Sequence, residues 1–221
     1  NGKNMSEKEI NHIRAIYDSN ISYQDDLLGK IIEKLTAWGI YDKTMIIVTA
    51  DHGDELWEDG KQGHGGSQHE TVLHVPLLIH YPPMFPAGRI DTGTEGIDIM
   101  PTIADVLGVA MDPEWQGTSL LPLAFGASEY EYLATSSSYE NSHAGRIGHW
   151  KLQLKGGGTP HVWNLAKDPD ENTDLWGKAH IPTRLLLDPM WIMRQWNTEW
   201  KKSQWGNAAD VSSRFASDLG E

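Results

Sequence analysis

The sequence predicts an α/β fold in two parts. A helix-flanked, mostly parallel sheet runs to about residue 125, and a small antiparallel sheet packed with a C-terminal helix follows it. Three observations carry this expectation. Apolar residues recur three or four apart between residues 6 and 38, residues 45–50 form an unbroken β-branched apolar run, and from Glu131 the texture changes to short alternating runs divided by glycines. The expected division is 1–125 for the α/β part, 126–205 for the small antiparallel part and 206–221 for a polar tail.

The first segment places Ile10, Ile13, Tyr17, Ile21, Leu27, Leu28, Ile31, Leu35 and Trp38 on a helical period, as one long helix or two in tandem. Ser6 and Glu9 have capping-box spacing at its start, and Gly39 stands where a helix would end. The run at 45–50 lacks polar alternation, which suits a strand covered on both faces in a parallel sheet. Residues 51–71 have no apolar period but many Gly, acidic and His residues, and read as a loop leaving the carboxyl end of that strand. A second strand is expected at 72–80, ended by Pro82-Pro83, and a short helix at 98–107 with Pro101 in its first turn and Gly108 after it. Short strands at 131–136, 146–155 and 161–165 form the antiparallel part, and residues 185–200 return to helical spacing. No internal repeat is present.

The chain has 221 residues, a formal charge of −13, ten Trp and no Cys. Its 22% charged residues and ten Trp argue against a disordered chain. The acidic balance argues against nucleic acid as a partner, and no apolar run approaches the roughly 20 residues of a membrane span. Without Cys there is no disulfide, thiolate zinc site or cysteine nucleophile. The start, Asn1-Gly2-Lys3-Asn4, reads as a processed or truncated end.

Chemistry concentrates in the loop. Asp51 and His52 sit at the carboxyl edge of the first strand, where open α/β sheets bind ligands. A hard carboxylate oxygen beside a neutral imidazole nitrogen suits calcium, manganese or zinc, depending on the other ligands; the alternative is that the pair only caps a turn. Five of the ten His lie between residues 52 and 80. His64, flanked by Gly63, Gly65 and Gly66, can come close to a ligand, whereas His69, His74 and His80 read as packed side chains. Asp54, Glu55, Glu58 and Asp59 read as a solvated acidic face.

The order Tyr23-Gln24-Asp25-Asp26, Leu28-Gly29, Trp38-Gly39-Ile40-Tyr41-Asp42-Lys43-Thr44 and Thr49-Ala50-Asp51-His52-Gly53 resembles the sulfatase family of the alkaline phosphatase superfamily. So do Gly63-His64-Gly65, Glu70, Val75-Pro76-Leu77-Leu78-Ile79, Asp98-Ile99-Met100-Pro101-Thr102 and Gln116-Gly117-Thr118-Ser119-Leu120. Gly148-His149-Trp150-Lys151-Leu152, Trp163-Asn164-Leu165 and Asp168-Pro169 are similar to the family's C-terminal subdomain. The resemblance implies an alkaline phosphatase-like fold and a metal-dependent hydrolase of sulfate esters, acting on a small sulfate ester or a sulfated glycan. It implies that Asp51 and His52 bind a divalent metal, usually Ca2+ with Mn2+ or Zn2+ as alternatives, and that His64 contacts the sulfate. It also implies a formylglycine nucleophile. No Cys- or Ser-x-Pro-x-Arg motif occurs here, and Asp59 stands where many relatives have a His, so the chain is expected to be the C-terminal portion of such an enzyme and inactive alone.

Two other readings stay open. One is a phosphonate or phosphate ester hydrolase, or a phosphoglycerol-type transferase, of the same superfamily. The other is an inactive truncated domain kept as a binding or structural partner. Trp191, Trp196, Trp200 and Trp205 could form a carbohydrate-stacking surface, although helical spacing favours core packing for the first three. A sheet missing part of its strands would expose an edge and apolar surface, and self-association is expected from it. The compartment is left open by the sequence, although many bacterial members of the family are exported to the periplasm or outside the cell.

Overall fold

The computed structural model describes residues 5–58, 60–127, 133–137, 142–155 and 158–205. Asp59, the start of the strand expected from Glu131 and the tail at 206–221 lie outside the described residues.

A single helix α1 spans Glu7–Ala37. Its start is the expected capping box: the Glu9 N–H donates to the Ser6 hydroxyl, and the Ser6 N–H donates to the Glu9 carboxylate at 2.7 Å. Gly39 at φ 69° follows α1, and Gly108 at φ 64° follows the helix that ends at Leu107, where a left-handed residue lets the chain leave the helix. Strand β1 (Ile46–Thr49) leads into a tight hairpin of β2 (Glu55–Leu56) and β3 (Gln62–Gly63), then one helical turn α2 (Glu70–Leu73) and strand β4 (Leu77–His80). Two corrections to the sequence expectation follow. The predicted strand at 72–80 begins only at Leu77, because the backbone of 70–73 turns back on itself from a cap at His69. Strands β1 and β4 run antiparallel, with Ile46 opposite His80 and Thr49 opposite Leu77. An unbroken apolar run reports how many faces a strand can cover, and it carries no information on a neighbour's direction.

Helix α3 (Ile99–Leu107) and the short α4 (Leu121–Ala124) are joined by a segment pinned to a buried acid. The Asp98 carboxylate accepts from the Glu95 N–H at 2.8 Å and the Thr118 N–H at 2.9 Å, and the Thr102 hydroxyl accepts from the Leu120 N–H at 2.8 Å. These bonds satisfy turn donors that would otherwise be buried without partners.

The second part is a four-stranded antiparallel meander of β5 (Leu133–Ser137), β6 (Ser142–Ile147), β7 (Trp150–Lys155) and β8 (His161–Asn164). The run predicted as one strand at 146–155 is two, turned at Gly148 and His149 so that Ile147 faces Trp150. Helix α5 (His180–Trp205) covers this sheet. Leu186 and Met190, four apart, bury against Leu152, Leu154 and Val162 and make the principal core. Trp191 and Trp196 are exposed rather than packed: with Leu186 and Met190 on the seam, a rotation of about 100° per residue carries them off it. The Trp200 side chain lies outside the described residues.

No residue of α1 is buried, and Ile16, Ile21, Ile31 and Trp38 are exposed along it, as is Leu78 on β4. Apolar surface of this extent marks a face that seeks a partner. The isolated chain is therefore expected to self-associate. Sedimentation velocity over a concentration series should show an average mass that rises with concentration, and a monomer at every concentration would contradict it.

Candidate functional site

The loop leaving β1 folds back through the β2–β3 hairpin, which brings residues near 52 against residues near 64. Gly53 sets this return. Its N–H donates to the Val72 carbonyl at 2.8 Å, and a Cβ there would lie 2.1 Å from the Thr71 carbonyl oxygen, so the backbones approach as only glycine permits. On α1, Arg14 donates to the Leu56 carbonyl at 2.7 and 3.0 Å and fixes the hairpin from outside.

His64 Nδ1 and an Asp54 carboxylate oxygen are 2.8 Å apart, and the His52 and His64 rings are 3.9 Å apart between centroids at 33°. One ligand atom from each of His52, Asp54 and His64 lies within 4.8 Å of the other two. Two imidazole nitrogens and a carboxylate oxygen at this spacing are a donor set that fits a divalent metal. His52 Nδ1 lies 3.0 Å from the Gly53 carbonyl, which orients the ring.

Of the residues singled out from sequence, His52 and His64 come together. Asp51 stands apart from the cluster: its side chain is 89% exposed, and it touches His52 by accepting from its N–H at 3.0 Å and by a 3.6 Å approach to Nε2. Asp54, read from sequence as solvated surface, lies with the two imidazoles and is 32% exposed. The signal that could have found it is spacing. Only Gly53 separates Asp54 from His52 in the chain.

A second polar cluster anchors this loop to the small sheet. Lys151 Nζ lies 3.0 Å from Glu70 and 2.8 Å from Glu171, Arg146 lies 2.8 Å from Glu70, and the Glu70 N–H donates to Glu171 at 2.7 Å. His69 stands 3.4 Å from Glu171. Glu171 itself adopts φ 57°, a left-handed conformation that a non-glycine residue holds only where its surroundings fix it. Burial is the largest single influence on the Glu171 carboxyl and raises its pKa, but the His69 imidazole, the Lys151 ammonium and the Glu70 N–H together outweigh it and hold the group below its usual value.

A carboxyl whose pKa is depressed by folding contributes stability that is present above its unfolded value, about 4.3 for Glu, and is lost as pH falls through the folded value. The difference in unfolding free energy between the parent chain and Glu171→Gln should therefore be constant near neutrality and shrink below about pH 4.3. A difference that does not change on acidification would refute this assignment. Among the described residues, no helix is long and apolar enough to cross a membrane.

Comparison with known proteins bears on the family and the fold. The family model described as Sulfatase matches residues 2–109. The chain is 30% identical over 192 residues to arylsulfatase K of Xenopus laevis, covering 79% of this chain and 36% of that protein. It is 33% identical over 178 residues to choline-sulfatase of Rhizobium meliloti strain 1021, covering 77% and 34%. The fold superposes on the phosphonate monoester hydrolase of Agrobacterium radiobacter with a TM-score of 0.73 at 27% identity, over 88% of this chain and 43% of that one. The chain thus spans about a third of the length of the curated relatives it matches. With an alkaline phosphatase-like α/β fold, a strand-edge Asp-His-Gly and a folded-back loop that sets His64 against His52, the chain belongs to the sulfatase family.

Proposed function

We propose that this chain supplies part of the active site of a metal-dependent sulfatase hydrolysing sulfate esters, with His52 and Asp54 holding the metal and Asp51 poised to join them. His64 faces the ester group. The observation that carries this reading is the meeting of His52, Asp54 and His64 at the carboxyl end of β1. A bound divalent ion would offset charge on the ester oxygens and lower the pKa of a nucleophile.

The chain's own residues do the rest. The Asp54 carboxylate accepts from His64 Nδ1, fixing the ring so that Nε2 is directed to a further partner, as a sulfate oxygen or leaving group would be. The Gly53 carbonyl constrains His52 in the same way. An imidazole with carboxylates suits manganese or zinc; calcium, which the family resemblance implies, would draw on additional oxygen donors such as Asp51.

Calorimetric titration of the chain with Mn2+ or Zn2+ is the test. Saturable binding is expected, weakened at least tenfold or so by His64→Ala and by Asp54→Asn, since even residues that only orient metal ligands cost about 10–100-fold when lost. Binding unchanged in both variants would sink the metal assignment. The chain alone is expected to turn over neither aryl sulfate nor aryl phosphate with metal added, because it carries no Cys- or Ser-x-Pro-x-Arg nucleophile motif. Enzyme-like cleavage of aryl sulfate would reverse the second expectation, and cleavage of aryl phosphate or phosphonate alone would favour the phosphoryl chemistry of the Agrobacterium relative.

A further inference from the structure

Glu171 lies outside the three residues that fit a metal, yet two of the groups around it belong to the loop that carries His64. The Glu70 N–H donates to its carboxylate at 2.7 Å, and His69 Nδ1 stands 3.4 Å from the same oxygen. Glu70 is the first residue of α2 and His69 is its cap, but the His69 side chain makes no capping bond. Glu171 supplies that bond from 101 positions away, a buried carboxylate set against the open N–H end of a helical turn.

What Glu171 holds leads to both histidines. In one direction, the Val72 carbonyl on α2 accepts from the Gly53 N–H at 2.8 Å, and Gly53 stands between His52 and Asp54. In the other, the chain runs back from His69 through Gln68 and Ser67, 3% and 2% exposed, to Gly66, whose carbonyl accepts from Lys155 Nζ at 3.2 Å. Only Gly65 then separates Gly66 from His64. The β2–β3 ladder ends at Gly63, and Gly63 and Gly65 have φ of 77° and 94°. His64 is therefore mounted between two pivots in conformations that glycine adopts freely. A ring so mounted keeps one orientation only where the chain on both sides is held, and on the far side Lys155 and Glu171 hold it from the small antiparallel part. Glu171 keeps its left-handed backbone, φ 57°, at a cost in free energy, as residues do where surrounding structure over-determines a site.

We propose that Glu171 is a positioning residue: by capping α2 from the small antiparallel part, it sets His52 and His64 against one another. That an ester is cleaved there rests on the function proposed above; the hold on the two imidazoles does not. The acceptor oxygen facing the Glu70 N–H does this work, so an amide oxygen in its place should serve.

Proton NMR of the metal-free chain in chelator tests the proposal, with the two rings assigned through His52→Gln and His64→Gln. Rings with centroids 3.9 Å apart should give a strong nuclear Overhauser cross-peak between their carbon-bound protons in the parent chain. Glu171→Ala should lose it while circular dichroism remains that of a folded chain, and Glu171→Gln should retain it. Lys151→Met/Glu171→Leu removes a charge together with its partner and keeps the space filled, so it folds without the acceptor and should lose the cross-peak too. Gly117→Ala, which strains the chain at the Ile97 carbonyl instead, should retain it. A merely structural role predicts loss in step with stability, in Gly117→Ala as in Glu171→Ala. A cross-peak of parental strength in Glu171→Ala or in the double variant, its loss from Glu171→Gln, or equal loss in Gly117→Ala would each overturn the proposal and leave the metal site standing. Absence of the cross-peak from the parent chain would overturn both.

Discussion

Lys151→Ala is expected to remove about 3–5 kcal/mol of folding stability, as breaking a buried ion pair from one side does. Lys151 is 1% exposed, and its ammonium bridges Glu70 and Glu171, which hold one another through the Glu70 N–H. Removing it leaves two carboxylates close together, with Arg146 reaching only Glu70. For a chain of this size a loss of 1 kcal/mol lowers the melting temperature by roughly 2–4 °C, so the variant should melt about 6–20 °C lower. Thermal and urea unfolding followed by circular dichroism measure it. The double variant Lys151→Met/Glu171→Gln should recover part of the loss, because it removes a charge together with its partner. A single-variant loss under about 1 kcal/mol, the range of exposed pairs, would contradict this account of the cluster.

That cluster also explains what the sequence could and could not disclose. Helix α1, its Ser6–Glu9 box, α3 with Pro101 in its first turn, and the change to antiparallel strands were legible because each is written in local spacing or capping chemistry. The direction of β4 relative to β1 was not, since it is fixed by how the loop between them returns. Nor was the break at Gly148, where two strands pass for one when the turn residues are few. In the site, His52 and His64 stood out by neighbouring glycines and by family resemblance. Asp54 did not, because a carboxylate among Glu55 and Glu58 looks like solvated surface until the β2–β3 hairpin brings it to His64. Glu70, Lys151 and Glu171 are up to about a hundred positions apart in the chain, and only tertiary packing makes them one network. The exposed Trp191 is the converse case: helical spacing was real, but the buried seam runs through Leu186 and Met190.

Gly53→Ala should abolish metal binding more completely than it destabilises the fold. The added Cβ would lie 2.1 Å from the Thr71 carbonyl oxygen and 3.2 Å from its carbon, and both belong to backbone that cannot turn aside as a side chain would. Relief requires 52–54 and 71–72 to separate, which breaks the Gly53 N–H bond to Val72 and displaces the residues on either side of Gly53, His52 and Asp54. Overpacking of this kind costs about 1–3 kcal/mol. Metal affinity should fall about 100-fold or beyond detection, since disturbing groups that merely orient ligands costs 10–100-fold. Gly117→Ala is the matched control. Its Cβ would meet the Ile97 carbonyl oxygen at the same 2.1 Å, but against the Asp98 turn rather than the loop bearing His52. It should destabilise the chain by a similar amount and leave metal affinity within about twofold of the parent, the scatter expected for a distant, independent site. Equal losses of metal binding in the two variants would mean that affinity follows global stability. A loss confined to Gly53→Ala would tie it to the backbone contact that sets His52 and Asp54 beside His64.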